Sequence, residues 1–349
     1  MSKKSEIFSE HDRAGQISIV RRLPGLSTIL LVGVIVLFSE NALAADATEA
    51  SDPFAATVPE PSILDSMDRS RDYLSEKVVN YSKRIDEFFG DERYFQEHNH
   101  SVIQLDMNET MEAGGSRAFL YEGKAKIDLP AASKRFQFVL ESNPEQKTAG
   151  EAKKDLPVTT QKQATPQNYA ASVRYEKAEE SLWHFSSEAG LKFQFPLDPF
   201  VRVRGSYAIP LGEWRLKMAE TLFWFNTIGS GETTQFDIER VLSDPVLFRA
   251  TSTATCLVLP QTCDLRQDFS IFHTLNERTA LVYQASVIGI NKPQLEETAY
   301  VLLMRYRYRL HKEWVFFEAI PQLNFPRTDD FNLNAVLLLR LEILFGASQ

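Results

Sequence analysis

From residue 101 to residue 345 the chain alternates apolar and polar side chains with a period of two, almost without a break. Side chains that change face at every residue belong to β-strands, and an alternation this long leaves little room for any other element. In segment 183–195 (WHFSSEAGLKFQF) the odd positions are apolar or small and the even ones polar. In segment 298–310, Tyr300, Leu302, Met304, Tyr306, Tyr308 and Leu310 share one face while Arg305, Arg307 and Arg309 share the other. Segments 101–111, 116–128, 134–142, 168–177, 200–209, 213–226, 232–243, 246–257, 267–275, 279–290, 313–325 and 333–345 behave alike, which makes about fourteen strands.

Such a pattern suits either a soluble barrel with its apolar face inside or a membrane barrel with its apolar face in lipid. Strand length separates them: several segments run well past the roughly 5 or 6 residues usual in soluble sheets, and suit a tilted bilayer crossing. Trp183, Phe195, Trp214, Trp224, Trp314 and Phe325 lie near strand ends, where interfacial girdles place aromatic residues. The expected fold is therefore all-β, an antiparallel transmembrane β-barrel of about fourteen strands over 100–346. A barrel of about twelve strands, with 101–128 outside it, is the alternative.

The N-terminus reads as an export signal. An uncharged run at 26–38 follows Arg21 and Arg22 and precedes Asn41-Ala42-Leu43-Ala44, the layout of a signal peptide over 1–44. The run is too short for a spanning helix, which needs about 20 apolar residues. Segment 45–60 is small, acidic and proline-containing, as a flexible linker is. Over 61–99 the period lengthens: Leu64, Met67, Leu74, Val78, Tyr81, Ile85 and Phe88 recur three and four apart between Pro61 and Gly90. This predicts an amphipathic periplasmic helix and a junction, with the helix packed on the main domain; a short coiled coil or a plug would show the same spacing. The net charge of −9 excludes a basic nucleic-acid-binding surface. Cys256 and Cys263 are the only cysteines, and an oxidising destination predicts a disulfide between them.

Loop lengths orient the barrel. With the C-terminus in the periplasm, counting strands backward puts the long segment 143–167 and the cysteine hairpin outside, and the short turns inside. On this register Lys192, Arg202, Arg204, Arg215 and Lys217 form a basic cluster in the lumen, with Lys192 beside Arg204 across a turn at 197–199. Such a patch would attract a small anionic solute, whereas a lumen of ordinary ion pairs would only fill space. A turn at His311-Lys312 places Glu318 opposite Arg305, with Arg340 at the same level, which predicts a charge network of Arg305, Glu318 and Arg340. No catalytic residues are assigned: His184 and Ser186 share a strand face but sit about 7 Å apart by strand rise. His98 and His100 suit a solvated junction better than a metal pair, so neither a metal nor a cofactor is expected.

The terminal series Leu337, Leu339, Leu341, Ile343, Phe345 resembles the C-terminal assembly signal of bacterial outer-membrane β-barrels, from which the tail at 346–349 departs. The runs IDEFFGDERYFQE, LWHFSSEAGLKFQFPLDPFVRVRGSYAIPLGEW, LFWFNTIGSGETT, RYRYRLHKEWVFFEAIPQLNFPR and LRLEILFG resemble an uncharacterised family of exported proteobacterial outer-membrane β-barrel proteins. The resemblance spans most of 85–346 and implies fold and export, with no functional residues to carry over. The functional expectation is a solute channel or small-solute-binding barrel in the outer membrane, with lipid and the barrel assembly machinery as partners. The rival classes are a structural or assembly barrel with a charge-filled lumen and an outer-membrane lipid hydrolase.

Overall fold

Fourteen antiparallel strands form one closed sheet in the computed structural model, which describes residues 77–78, 80–89, 101–129, 135–144, 168–177 and 182–346. The expected signal peptide, the linker and residues 61–76 and 90–100, His98 and His100 among them, lie outside the described residues. In chain order the strands are β1 (Val102–Glu112), β2 (Arg117–Asp128), β3 (Phe136–Ser142), β4 (Tyr169–Glu176), β5 (Trp183–Lys192), β6 (Asp198–Leu211) and β7 (Trp214–Phe225). There follow β8 (Gly229–Ser243), β9 (Val246–Leu257), β10 (Cys263–Asn276), β11 (Thr279–Ile290), β12 (Glu296–His311), β13 (Val315–Pro326) and β14 (Asn334–Gly346). Every strand pairs with its sequence neighbours, and β1 closes the ring on β14, from Val102 opposite Gly346 to Glu112 opposite Val336. That closure brings 101–128 into the wall and excludes the twelve-strand alternative.

The two faces of the sheet are inverted relative to a soluble barrel. Leu222, Trp224, Tyr283, Leu302, Leu323 and Leu337 point outward and are exposed, while Arg174, Glu188, Lys217, Asp237, Arg307, Glu318 and Glu342 point inward and are buried. An outer surface this apolar is stable only against hydrocarbon. Trp183 stacks on Tyr207 at 4.3 Å between centroids, and Trp314 lies 6.4 Å from Phe345, both at the end where β1 begins and β14 finishes. We call that end near and the opposite one far.

Near-end connections are tight: 212–213, 244–245 and 277–278 each join adjacent strands. Gly212 adopts a φ of +64°, which the β6–β7 turn requires and a β-carbon would disfavour. Far-end connections are longer, including 193–197, 258–262, 291–295 and the 143–168 excursion between β3 and β4. The disulfide between Cys256 and Cys263 ties β9 to β10 at the far rim, where the two residues face each other in the ladder.

Residues 77–78 and 80–89 form a helix, α1, which packs against the barrel. Its side chains meet inward-facing residues of β8, β9, β10, β12 and β13, so it sits within the near mouth of the lumen. Among the alternatives left open by the periodicity, the geometry is that of a plug.

Candidate functional site: the lumen and its helix

The inward face of the near end departs from the polar pattern. Leu247, Phe272, Ala280 and Val282 are buried and apolar there, and they form one cluster with Ile85 and Phe89 of α1, flanked by Tyr81, Phe88 and Val241. Phe89 meets Phe272 edge-on at 5.7 Å, and Phe88 meets Phe316 at 6.0 Å. Val78, Ile85 and Phe89, spaced seven and four apart, are the apolar stripe of an amphipathic helix and are all buried. Burying a side chain of this kind is worth about 1.5–3 kcal/mol.

Polar contacts fix the helix against rotation. Arg249 donates from Nε to Glu239 at 2.7 Å and from Nη2 to Ser82 at 3.1 Å and Asp86 at 2.7 Å. Ser82 donates in turn to Glu239 at 2.8 Å, and Arg215 reaches the same carboxylate at 3.3 Å. Lys77 pairs with Asp244 at the β8–β9 turn at 2.5 Å, and Tyr81 donates to Thr274 at 3.2 Å. Burial pushes the Tyr81 phenol up, the Asp244 charge pushes it the same way, and the Thr274 hydrogen bond opposes them, so Tyr81 stays a neutral donor. The stacked cations add to the seat: Arg249 lies 4.8 Å over Phe272, Arg307 lies 5.9 Å over Phe88, and Arg309 lies 5.6 Å over Phe88.

Beyond the helix the lumen wall is a belt of compensated charge. Glu318 accepts from Arg307 at 2.7 Å and from Arg340 at 2.9 Å, and Arg307 also reaches Glu342 at 2.6 Å. Arg340 continues to Asn108 at 2.9 Å, and Gln104 bridges Glu342 and Asp106 at 3.0 Å, so the network runs from β12 through β14 to β1. The expected partner Arg305 is replaced by Arg307. The turn comprises 312–314, so His311 pairs with Val315 and the pairing starts three positions from the expected one; the bulge at Arg309/His311 takes one back, which leaves a net shift of two and keeps Glu318 inward. Arg305 faces inward one level further from the turn, opposite Val282 of β11.

Three members of the expected basic cluster, Lys192, Arg202 and Arg215, each face a carboxylate. The β5–β6 turn comprises 193–197 instead of 197–199, so Lys192 faces Asp198 at 3.9 Å and does not meet Arg204. Arg202 is bound by Glu141 at 2.6 Å and Glu188 at 3.0 Å, and Arg174 shares Glu188 at 2.9 Å. Arg204 donates to Thr221 at 3.1 Å, Arg215 is held by Glu239, and Lys217 lies opposite Asp237. Toward the far end Phe200 stacks on Phe225 at 5.0 Å. Gly190 makes room for that pair, since a β-carbon there would stand 2.7 Å from Phe200 Cζ.

His184 and Ser186 both face the lumen, opposite Ser206 and Arg204 respectively. The carboxylate two residues beyond Ser186, Glu188, is bound by Arg174, Arg202 and Ser172. Among the described residues no group of three metal-binding side chains occurs.

Neither a protein-family model nor a curated protein sequence matches the chain. Three solved outer-membrane proteins are similar in structure. OmpT of Vibrio cholerae aligns with a TM-score of 0.43 at 9% identity, over 70% of this chain and 97% of its own. The outer membrane channel DcaP of Acinetobacter baumannii gives 0.41 at 8% identity, over 70% of this chain and 96% of its own. The NanC porin gives 0.37 at 9% identity, over 68% and 98%. The strand count and closure are read from the hydrogen-bonded ladder itself, independently of these alignments.

Proposed function

We propose that the chain is an outer-membrane β-barrel for passage of small polar solutes, held shut at its near mouth by α1. The near end, with α1, then lies in the periplasm, and the long connections face outside, the orientation that the loop lengths favour. The observation that carries the reading is the double attachment of α1 to the inner wall. An apolar stripe sits on an apolar collar, and Asp86 and Ser82 reach into the Arg249–Glu239 pair. The charged belt above the helix offers hydrogen-bonding groups to a hydrated solute once the mouth is clear. Because Lys192, Arg202 and Arg215 each face a carboxylate, the basic cluster that would favour an anion is broken up, and passage would discriminate weakly by charge.

A structural barrel with a filled lumen is the second reading, favoured by the buried Arg307–Glu318–Arg340–Glu342 chain, which rigidifies one wall. Conductance in planar bilayers separates the two. A gated barrel conducts rarely as the wild type and often when Ile85→Asp and Phe89→Asp expel the helix. A structural barrel stays silent in both forms, and a wild type that conducts steadily with no response to these changes refutes gating by α1.

A further inference from the structure

Across the ring from the seat of α1, the inner wall holds charged groups that are buried and incompletely bonded. The contacts of α1 run along β8 to β13, whereas β3 stands seven strands from β10 in a ring of fourteen. On β2 to β5 the inward side chains of Lys126, Gln137, Arg174, Glu176 and Glu188 are all buried. Arg174 holds Glu188 through Nε and Nη2, both at 2.9 Å. Its remaining nitrogen, Nη1, stands 3.9 Å from Glu176 Oε1, too far for a hydrogen bond, and Lys126 Nζ stands 3.5 Å from the same oxygen.

Among the described residues, Glu176 accepts no hydrogen bond of ordinary length at either oxygen, Gln137 accepts none at Oε1, and Arg174 donates none from Nη1. Yet Arg174 and Glu176 are 3% exposed and Gln137 is 1% exposed. Elsewhere in the lumen Glu318 is bound by Arg307 and Arg340, and Glu239 by Arg249 and Arg215, so Glu176 departs from the pattern of the wall. A buried polar group left without hydrogen bonds is costly and calls for a partner. The groups lie together: Gln137 is opposite Arg174 in the β3–β4 ladder, and Glu176 is the diagonal neighbour of Gln137, within reach of long side chains. Gln137 donates its amide nitrogen to Asp128 at 3.0 Å, so its oxygen remains as an acceptor.

We infer that this site binds the ammonium and carboxylate of a small zwitterion, an α-amino acid in its simplest form. An ammonium has three N–H donors and no acceptor, which matches the two Glu176 oxygens and Gln137 Oε1. A carboxylate only accepts, which matches Arg174 Nη1 beside them. Charge balance selects the same class. Lys126, Arg174 and Arg202 alternate with Glu176, Glu188 and Glu141, so a ligand without net charge leaves the network compensated, and a lone cation or anion does not. Glu176 ends β4 at the near rim, across the mouth from the helix, and the role of the site in transit rests on the solute-passage reading above.

The test uses the full-length mature barrel in detergent and radiolabelled glycine in equilibrium dialysis. Glycine is expected to bind saturably. Acetate, ethanolamine and glycine betaine, which lack the ammonium, the carboxylate and the N–H donors respectively, should displace it at least about tenfold more weakly than unlabelled glycine does. Glu176→Gln keeps the shape and removes the charge, and should weaken glycine at least about tenfold; Gln137→Leu should weaken it by a smaller factor, and Gln322→Leu on β13 should leave it unchanged. Resistance of the unheated protein to SDS confirms that each variant is a closed barrel, and the ligand series on the wild type needs no variant at all. No saturable glycine binding, displacement by glycine betaine equal to that by glycine, or an affinity untouched by Glu176→Gln in a closed barrel would overturn the inference. Conductance is read separately: a barrel that conducts and binds no glycine loses the site alone, whereas glycine binding by a barrel that stays silent with α1 expelled keeps the site and refutes passage.

Discussion

Truncating Phe89 should open the barrel without damaging its wall. The ring is buried on α1, edge-on to Phe272 at 5.7 Å and to Phe88 at 5.5 Å, and its removal leaves a hole at the centre of the apolar collar. A buried Phe→Ala change costs about 3–5 kcal/mol, and because water from the lumen can partly fill the gap we take about 3. Since the helix rests on the wall and contributes no strand, this loss falls on the docking equilibrium and leaves barrel closure alone. At about 1.4 kcal/mol per factor of ten, the ratio of open to closed mouths rises by about a hundredfold. Asp86→Ala removes one charged hydrogen bond to Arg249, which keeps Glu239 as a partner at 2.7 Å. Its effect should be smaller, about 1.5 kcal/mol or about tenfold. Glu87 is exposed on the same helix, and Glu87→Ala should change nothing. Single-channel recording gives the open fraction directly. An open fraction in Phe89→Ala equal to that of Glu87→Ala would refute the claim that the collar holds the helix.

Glu318→Ala should destabilise the barrel by about 2–4 kcal/mol in urea unfolding from lipid vesicles, because it leaves two buried guanidinium groups facing one another, and Arg305→Ala should cost only about 1. Equal losses would show that Glu318 does not screen Arg307 and Arg340. Cys256 and Cys263 should resist alkylation until reduced, and labelling of both thiols in the unreduced protein would contradict the bond. Expressed with its leader, the protein should be recovered from the outer-membrane fraction lacking residues up to about Ala44 and should migrate anomalously on gels when unheated. Recovery as a soluble periplasmic protein would sink the assignment.

The barrel was legible because lipid reverses the sense of the alternation without altering its period, so Tyr300, Leu302 and Met304 against Arg305, Arg307 and Arg309 already separate outside from inside. Register was not, since it depends on turn length and bulges that leave no mark on the alternation. The displaced turn at 312–314, corrected by one residue at the Arg309/His311 bulge, moved the partner of Glu318 from Arg305 to Arg307, and the longer β5–β6 turn turned the contact of Lys192 with Arg204 into one with Asp198. Both shifts preserve parity, which is why every residue stayed on its expected face while its partner changed. The seat of α1 did carry a signal. At the near ends of β9, β10, β11 and β13 the inward positions turn apolar, at Leu247, Phe272, Val282 and Phe316, where an unplugged lumen would be polar. Glu220 and Glu232 likewise break the outward apolar rows, a visible exception that alternation alone does not explain.

The placement of α1 inside the lumen is tested most directly by proximity in the native membrane. In a chain with Cys256 and Cys263 replaced by serine, cysteines at Ile85 and Leu247, which share one apolar cluster, would be treated with a short bismaleimide in outer membranes. The account predicts an intramolecular crosslink between α1 and β9, and slow reaction of the residue-85 cysteine with a bulky periplasmic maleimide. No crosslink, together with rapid labelling at residue 85, would place the helix outside the barrel and contradict it.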